Sequence, residues 1–129
     1  MHRERFVTMA IFVMLASVAQ QVMCYDEKYD KMEVDKIIAN DELFNSYLNC
    51  WLDKGPCDKE NAAEMKTLMP EVISTACGKC TPVQKKNIKK LIQGLTTKQR
   101  AHQLKELMLK YDPKREYFAN FAKFLLGPE

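Results

Sequence analysis

The sequence predicts an all-α protein, a compact globule of six short helices, and three observations support this prediction. Apolar residues recur at helical spacing in successive segments, whereas no segment alternates apolar and polar residues for long enough to indicate a strand. Capping residues, glycines and prolines separate these segments from one another. The composition, with 47% hydrophobic and 29% charged residues, is typical of a globular domain and not of a disordered chain.

Residues 1–24 are predicted to be a secretory signal peptide. Arg3 and Arg5 precede an apolar run at 9–19, MAIFVMLASVA, which is too short to span a bilayer but has the length of a signal-peptide core. No later stretch is apolar enough for a membrane anchor, so we expect no stable membrane insertion.

Cleavage after Ala19 and cleavage after Cys24 are both compatible with this signal. The chain contains five cysteines, and an unpaired thiol is unfavourable in a secreted protein. Cleavage after Cys24 leaves four, so we expect residues 25–129 to form one secreted, extracellular helical domain. The signal holds two arginines and one glutamate, so its removal lowers the formal charge from +3 to +2, which does not indicate nucleic-acid binding.

The first two helices are predicted on either side of a cap at Asn40 or Asp41. The first covers residues 31–39 and has one apolar face. Gly55 and the following proline are expected to end the second, with the glycine in the left-handed conformation just past the helix. The second helix has a wide apolar stripe made of Leu43, Phe44, Tyr47, Leu48, Trp51 and Leu52.

The third and fourth helices are predicted to lie between Asp58 and Leu95. Asp58 is expected to cap the third helix, which contains Pro70 and ends by Gly78. Thr81, with Gln84 three residues later, forms a capping box for the fourth helix. The apolar faces of these helices carry Ala62, Met65, Met69, Val72, Ile73 and Ala76, and then Ile88, Leu91, Ile92 and Leu95.

The last two helices are predicted from a further capping pattern and an Asp-Pro pair. Thr96 and Gln99 predict a capping box for the fifth helix. Asp112 and Pro113 are expected to be the cap and first residue of the sixth helix, which ends at Gly127. Their apolar faces carry Ala101, Leu104, Leu107, Met108 and Tyr111, and then Tyr117, Phe118, Phe121, Phe124 and Leu125.

Four cysteines remain in the predicted domain: Cys50, Cys57, Cys77 and Cys80. Six residues separate the first pair, more than the two to four usual in structural zinc sites. The second pair has the CxxC spacing of redox proteins, but such motifs usually follow a strand, and none is predicted here. Two disulfides fit a secreted chain best, and three pairings are possible. The residues alone do not choose among them, although pairing of neighbours is sterically reasonable.

Three stretches resemble the insect chemosensory proteins, also called the OS-D family. They are YLNCWLDKGPC at 47–57, CGKCTPVQK at 77–85 and LKYDPKREYF at 109–118. The resemblance extends over nearly all of residues 25–129. It implies that the six helices surround an apolar channel and that the disulfides are Cys50–Cys57 and Cys77–Cys80. It also implies a monomeric carrier of fatty acids or long-chain alcohols, esters or aldehydes.

A carrier of this kind needs a cavity with apolar walls and few polar groups. The candidate ligand-binding residues, which in an ordinary core would simply pack together, are Leu43, Tyr47, Leu48, Met65, Leu68, Val72, Ile88, Leu91, Leu107 and Tyr111. Tyr47 is the preferred polar anchor, because a buried tyrosine hydroxyl requires a hydrogen-bond partner. The methionines are adaptable fillers that suit a cavity accepting ligands of several shapes.

No enzymatic activity, catalytic residue, cofactor or metal is predicted. His102 is flanked by Ala101 and Gln103 on a polar helix and is interpreted as a surface residue. A basic stretch supports an alternative function. It is QKKNIKK at 84–90, with lysines from Lys85 to Lys90. A secreted interaction protein could use such a basic amphipathic helix at membranes or acidic partners, although a solvated helix face explains the same residues.

Overall fold

The computed structural model describes residues 23–128. The predicted signal peptide lies outside the described residues except for its last two positions. Six α-helices follow a 3-10 turn at Glu27–Lys31, and the described residues contain no strand, which confirms the all-α prediction. The helices are α1 (Val34–Ala39), α2 (Asp41–Trp51), α3 (Ala62–Ser74), α4 (Pro82–Gly94), α5 (Ala101–Tyr111) and α6 (Phe118–Leu126).

Two predicted helix starts agree with the structure. The side chain of Asn40 caps α2 by accepting a hydrogen bond of 3.1 Å from the amide of Leu43. In the capping box of α4, the Thr81 hydroxyl accepts from the amide of Gln84, and the Gln84 side chain accepts from the amide of Thr81. These polar side chains satisfy amides that the first helical turn leaves without partners.

Three predicted caps are wrong, because each polar side chain has another role. Asp58 does not cap α3, which begins after Asn61, a residue in the left-handed conformation with φ of 62°. Thr96 does not start α5, since its hydroxyl donates to the carbonyl of Gln93 at the end of α4. Asp112 follows α5, and its carboxylate accepts hydrogen bonds from the next turn, so α6 begins only at Phe118.

The turns between helices use residues other than glycine for left-handed backbone. The sequence predicts a positive φ for Gly55, but Asp53 has it instead, at 60°. A methyl group on Gly55 would lie 3.2 Å from Cβ of Asn49, so this glycine is needed for a close approach and not for its dihedral angle. The start of the first helix also differs from the prediction. The helix begins at Val34, because the residues before it form the separate 3-10 turn.

Two disulfides lie at the corners between helices. Cys50–Cys57 joins the end of α2 to the loop before α3, and Cys77–Cys80 closes the corner between α3 and α4. The bonded residues are 7 and 3 positions apart, respectively, so neither bond connects distant parts of the chain. Cys24 is exposed and unpaired within the described residues.

Trp51 connects the ends of three helices. It is 2% exposed, and its indole N–H donates a hydrogen bond of 3.2 Å to the carbonyl of Ala62 at the start of α3. Its own carbonyl accepts a hydrogen bond of 2.6 Å from the hydroxyl of Tyr111 at the end of α5. Because these bonds are directional, they fix how α2, α3 and α5 meet.

Asp53 reinforces the same junction from the surface. Its carboxylate forms ion pairs with Lys66 on α3 and Lys110 on α5. The hydrogen bonds from Lys110 and then Lys66 lower the pKa of the Asp53 carboxyl to about 2. The turn after α2 is therefore held to both neighbouring helices at ordinary pH.

We expect reduction of both disulfides to lower the melting temperature but to leave most of the helical circular dichroism at 25 °C. Each bond closes a loop much shorter than the 15 residues for which about 3 kcal/mol is expected, so helix packing supplies most of the stability. Circular dichroism with and without reductant measures this directly.

The effect of reduction is compared with that of Leu48→Ala, which truncates a core side chain with no exposed surface. Its expected cost is about 2–5 kcal/mol of unfolding free energy. Complete loss of helix upon reduction alone would contradict the conclusion that the disulfides act only at corners.

Candidate functional site

An apolar cavity lies at the centre of the described domain, and all six helices contribute to its wall. Half of the lining residues come from α3 and α4, and α1, α2 and α6 supply one each: Val34, Trp51 and Phe121. The volume of the cavity, counted as the space that the centre of a water molecule can occupy, is about 90 Å³. A single water needs roughly 10–15 Å³, so the cavity has room for several groups of that size.

Six of the ten predicted ligand-binding residues line this cavity: Met65, Leu68, Val72, Ile88, Leu91 and Leu107. Periodicity identified them because they lie on the inward faces of α3, α4 and α5. The structure thus brings these six together, and their contact with a ligand stays a prediction.

The other four predicted residues lie elsewhere. Leu43 and Tyr47 border a separate outer depression, and Leu48 is buried in the core beside it. The Tyr47 hydroxyl donates a hydrogen bond of 2.8 Å to the carbonyl of Glu60, and the Tyr111 hydroxyl bonds to Trp51. Both hydroxyls therefore have partners within the protein, and neither tyrosine lines the central cavity.

Sequence reasoning missed the lining residues that precede the first helix. Tyr25, Tyr29 and Met32 all line the cavity, yet they belong to an acidic segment without helical periodicity. The positions of the methionines could have identified part of the wall. All four that follow residue 24 line the cavity: Met32, Met65, Met69 and Met108. Their flexible side chains allow the walls to adapt to ligands of different shape.

The segment at residues 25–31, which we call the N-terminal strap, is held against the helices by polar bonds. The amide of Tyr25 donates to the carbonyl of Lys79 at 2.9 Å. The buried side chain of Gln84 donates to the carbonyl of Asp26 at 2.9 Å, and the Thr81 hydroxyl donates to the strap carboxylate of Asp30. These contacts place the two strap tyrosines in the cavity wall.

Two carboxylates of α3 hold the tyrosine hydroxyls of the strap. Tyr25 donates to Glu71 at 2.7 Å, and Tyr29 donates to Glu64 at 2.7 Å. The bond from Tyr25, followed by one from Lys79, lowers the pKa of the Glu71 carboxyl below its ordinary value of 4.5. Lys28, followed by Tyr29, lowers the pKa of the Glu64 carboxyl in the same way. Both carboxylates are therefore ionised at neutral pH.

Half of the predicted basic face on α4 is engaged in contacts within the domain. Lys89 is only 7% exposed and donates to the carbonyls of Gly127 and Pro128, both at 3.1 Å. Lys90 pairs with Asp35 of α1 at 3.1 Å. Only Lys85 and Lys86 are left as fully exposed cations of that stretch. Between residues 23 and 128, no helix has both the length and the hydrophobicity needed to cross a bilayer.

Comparison with known proteins gives consistent matches. The family described as "Insect pheromone-binding family, A10/OS-D" matches residues 25–119. Ejaculatory bulb-specific protein 3 of Drosophila melanogaster is 35% identical over 97 residues, which are 75% of each chain.

Two solved structures share the fold. A chemosensory protein in complex with bromo-dodecanol is 32% identical, with a TM-score of 0.67, over 75% of this chain and 95% of that one. The antennal chemosensory protein A6 of the moth Mamestra brassicae is 31% identical, with a TM-score of 0.60, over 81% of this chain and 100% of that one.

We expect acidification below pH 4.5 to loosen the strap before the helices unfold. A carboxyl whose pKa is lowered by folding contributes stability above its unfolded value, and that contribution is lost as the pH falls through the folded value. Protonation of Glu64 and Glu71 therefore weakens the bonds to Tyr29 and Tyr25. NMR amide shifts recorded from pH 6.5 to pH 3 follow the strap and the helices separately.

The double variant Glu64→Gln/Glu71→Gln should show the loosened strap already at pH 6.5. Glu106→Gln is the matched control, since it removes an exposed carboxylate that pairs with Lys54 far from the strap. Strap amides that keep their shifts down to pH 3 while the carboxyls titrate would refute this mechanism.

Proposed function

The chain belongs to the insect pheromone-binding A10/OS-D family, and from this premise we propose that it is a secreted, monomeric carrier of long-chain aliphatic molecules. Its ligands are fatty acids or long-chain alcohols, esters or aldehydes of about twelve to eighteen carbons. The family resemblance implies this range of chain length, and the free energy gained by burying methylene groups is consistent with it. They occupy the central cavity. The observation that carries this proposal is the cavity itself, whose wall is almost entirely apolar and comes from every helix of the domain.

The energetics of methylene burial support ligands of this length. A micromolar dissociation constant requires about 8 kcal/mol, and about ten methylenes buried at ~0.8 kcal/mol each reach that gross value. Immobilising a flexible chain opposes binding, so additional carbons are needed. The solved relative that holds bromo-dodecanol binds a chain of this kind.

The four cavity methionines explain how a small cavity receives a long chain. The open space of about 90 Å³ suffices for a short segment of alkyl chain. Met65, Met69 and Met108 lie on opposing helices and have several rotatable bonds each, so they can move outward as the chain enters. Ligand length is therefore limited by how far these side chains repack.

Secretion is supported by the signal-like N-terminus and by the two disulfides. Such bonds form and persist in oxidising compartments. Release after Cys24 would remove the cysteine that has no partner in the described residues. The alternative function, an interaction protein with a basic helix, has less support because Lys89 and Lys90 are already engaged.

We expect affinity to increase with chain length in a series of primary alcohols from eight to sixteen carbons. Each added methylene contributes at most ~0.8 kcal/mol, or about a fourfold change in the dissociation constant. Displacement of the fluorescent probe N-phenyl-1-naphthylamine measures the series.

Leu68→Trp should weaken binding of the longest alcohols most, because the larger side chain fills the cavity. Val83→Trp places the same side chain on the exposed surface of α4 and is the matched control. Affinities that are independent of chain length in the unmodified protein would contradict the carrier function.

A further inference from the structure

The N-terminal strap is held to the cavity in a different way from the helices. Each of the six helices has at least one buried residue, whereas every residue of the strap is half-buried or exposed. Tyr25 and Tyr29 of the strap nevertheless line the cavity. A segment that buries little surface and depends on polar bonds opens at a low cost in free energy. The strap is therefore the part of the wall that opens most easily.

The corner between α3 and α4 supplies several of the bonds that hold the strap. Lys79 lies between the two bonded cysteines, Cys77 and Cys80. Its carbonyl accepts a hydrogen bond of 2.9 Å from the amide of Tyr25, and its ammonium pairs with Glu71 at 3.2 Å. Glu71 in turn accepts the bond of 2.7 Å from the Tyr25 hydroxyl. The corner thus holds the backbone of Tyr25 directly and its side chain through Glu71.

The two disulfides differ in their relation to the strap. Cys80 lines the cavity, and the next residue, Thr81, donates a hydrogen bond of 2.7 Å to Asp30 of the strap. Neither Cys50 nor Cys57 lines the cavity. The ion pairs of the residues between them are formed with α3 and α5. Only one of the two corners is therefore connected to the strap.

The backbone of the Cys77–Cys80 corner has a conformation that the surrounding structure must impose. Ala76 and Cys77 both have positive φ, 51° and 62°, a region that residues other than glycine rarely adopt. The disulfide joins residues only 3 positions apart, so it restricts the unfolded chain little. Its main effect is local, because it holds these two residues, and with them Lys79, in place.

We propose that the strap is the gate of the cavity, meaning the segment that must move for a ligand to enter, and that the Cys77–Cys80 disulfide positions it. This inference rests on the proposed carrier function and adds the route of entry. The helices stay in place while the polar bonds of the strap break and form again. Water replaces these bonds in the open form, so no buried polar group loses its partner. The disulfide acts through Lys79 and Thr81, which hold the strap closed.

Stopped-flow fluorescence with N-phenyl-1-naphthylamine tests the gate. Tyr25→Phe/Tyr29→Phe keeps both rings but removes the hydroxyl bonds to Glu71 and Glu64. Exchange through a gate is proportional to the open fraction, so the association and dissociation rate constants should both rise, roughly two- to tenfold for each bond. Their ratio, the dissociation constant, should stay nearly constant. Tyr47→Phe removes a hydroxyl bond outside the cavity and should change neither rate.

A pair of disulfide variants tests the role of the corner. Cys77→Ala/Cys80→Ala should raise both rate constants and shift the NMR signals of the strap amides. Cys50→Ala/Cys57→Ala is the matched control, which should leave the rates and the strap signals unchanged. A disulfide that only stabilises the fold would give both pairs of variants the same effect. Circular dichroism establishes that each variant is folded.

The possible outcomes separate this inference from the carrier function. Unchanged association in Tyr25→Phe/Tyr29→Phe, or a rise in the dissociation rate alone, would overturn the gate while leaving the carrier function intact. Equal effects of the two cysteine pairs would overturn the role assigned to Cys77–Cys80. If the unmodified protein binds neither the probe nor 1-tetradecanol, the carrier function and this inference are both wrong.

Discussion

Trp51 is the constraint on which the cavity depends. Six short helices that met only through apolar contacts would be free to slide together and fill the space between them, because hydrophobic attraction has no direction. The indole bond to Ala62 and the hydroxyl bond from Tyr111 fix the ends of three helices at this one residue. Asp53 holds the same three helices from outside through Lys66 and Lys110. The ends of these three helices are therefore fixed beside the cavity, whose wall includes Trp51.

The order and number of helices follow from the sequence, whereas several boundaries do not. Thr81 and Asn40 cap the helices that local spacing assigns to them. Asp58 and Asp112 have equally suitable side chains, but the chain turns differently around them. A capping pattern shows that an acceptor is present. Tertiary packing decides which amide it meets, and that information lies outside the local window.

The candidate site, like the helix boundaries, could be predicted only in part from the sequence. Periodicity identified Met65 and Leu91 because α3 and α4 have one inward face, but it also selected Tyr47, whose helix α2 has an apolar stripe wide enough to pack on two sides. The strap could not be predicted, because its contacts join residues far apart in the chain. Tyr25 and Glu71, for example, are separated by 46 positions. Chemistry that depends on such pairs becomes visible only in three dimensions.

A ligand bound in the central cavity must contact the methionines of its wall, and NMR of protein labelled with ¹³C at methionine and leucine methyl groups detects such contacts. On titration with 1-dodecanol, we expect large shifts and ligand contacts for the methyl groups of Met65, Met69 and Met108. We expect no change for Leu109, which borders an exposed groove on the outer side of α5. Met108 borders that groove as well as the cavity, so shifts confined to Leu109 and Met108, with Met65 and Met69 unchanged, would contradict binding in the cavity.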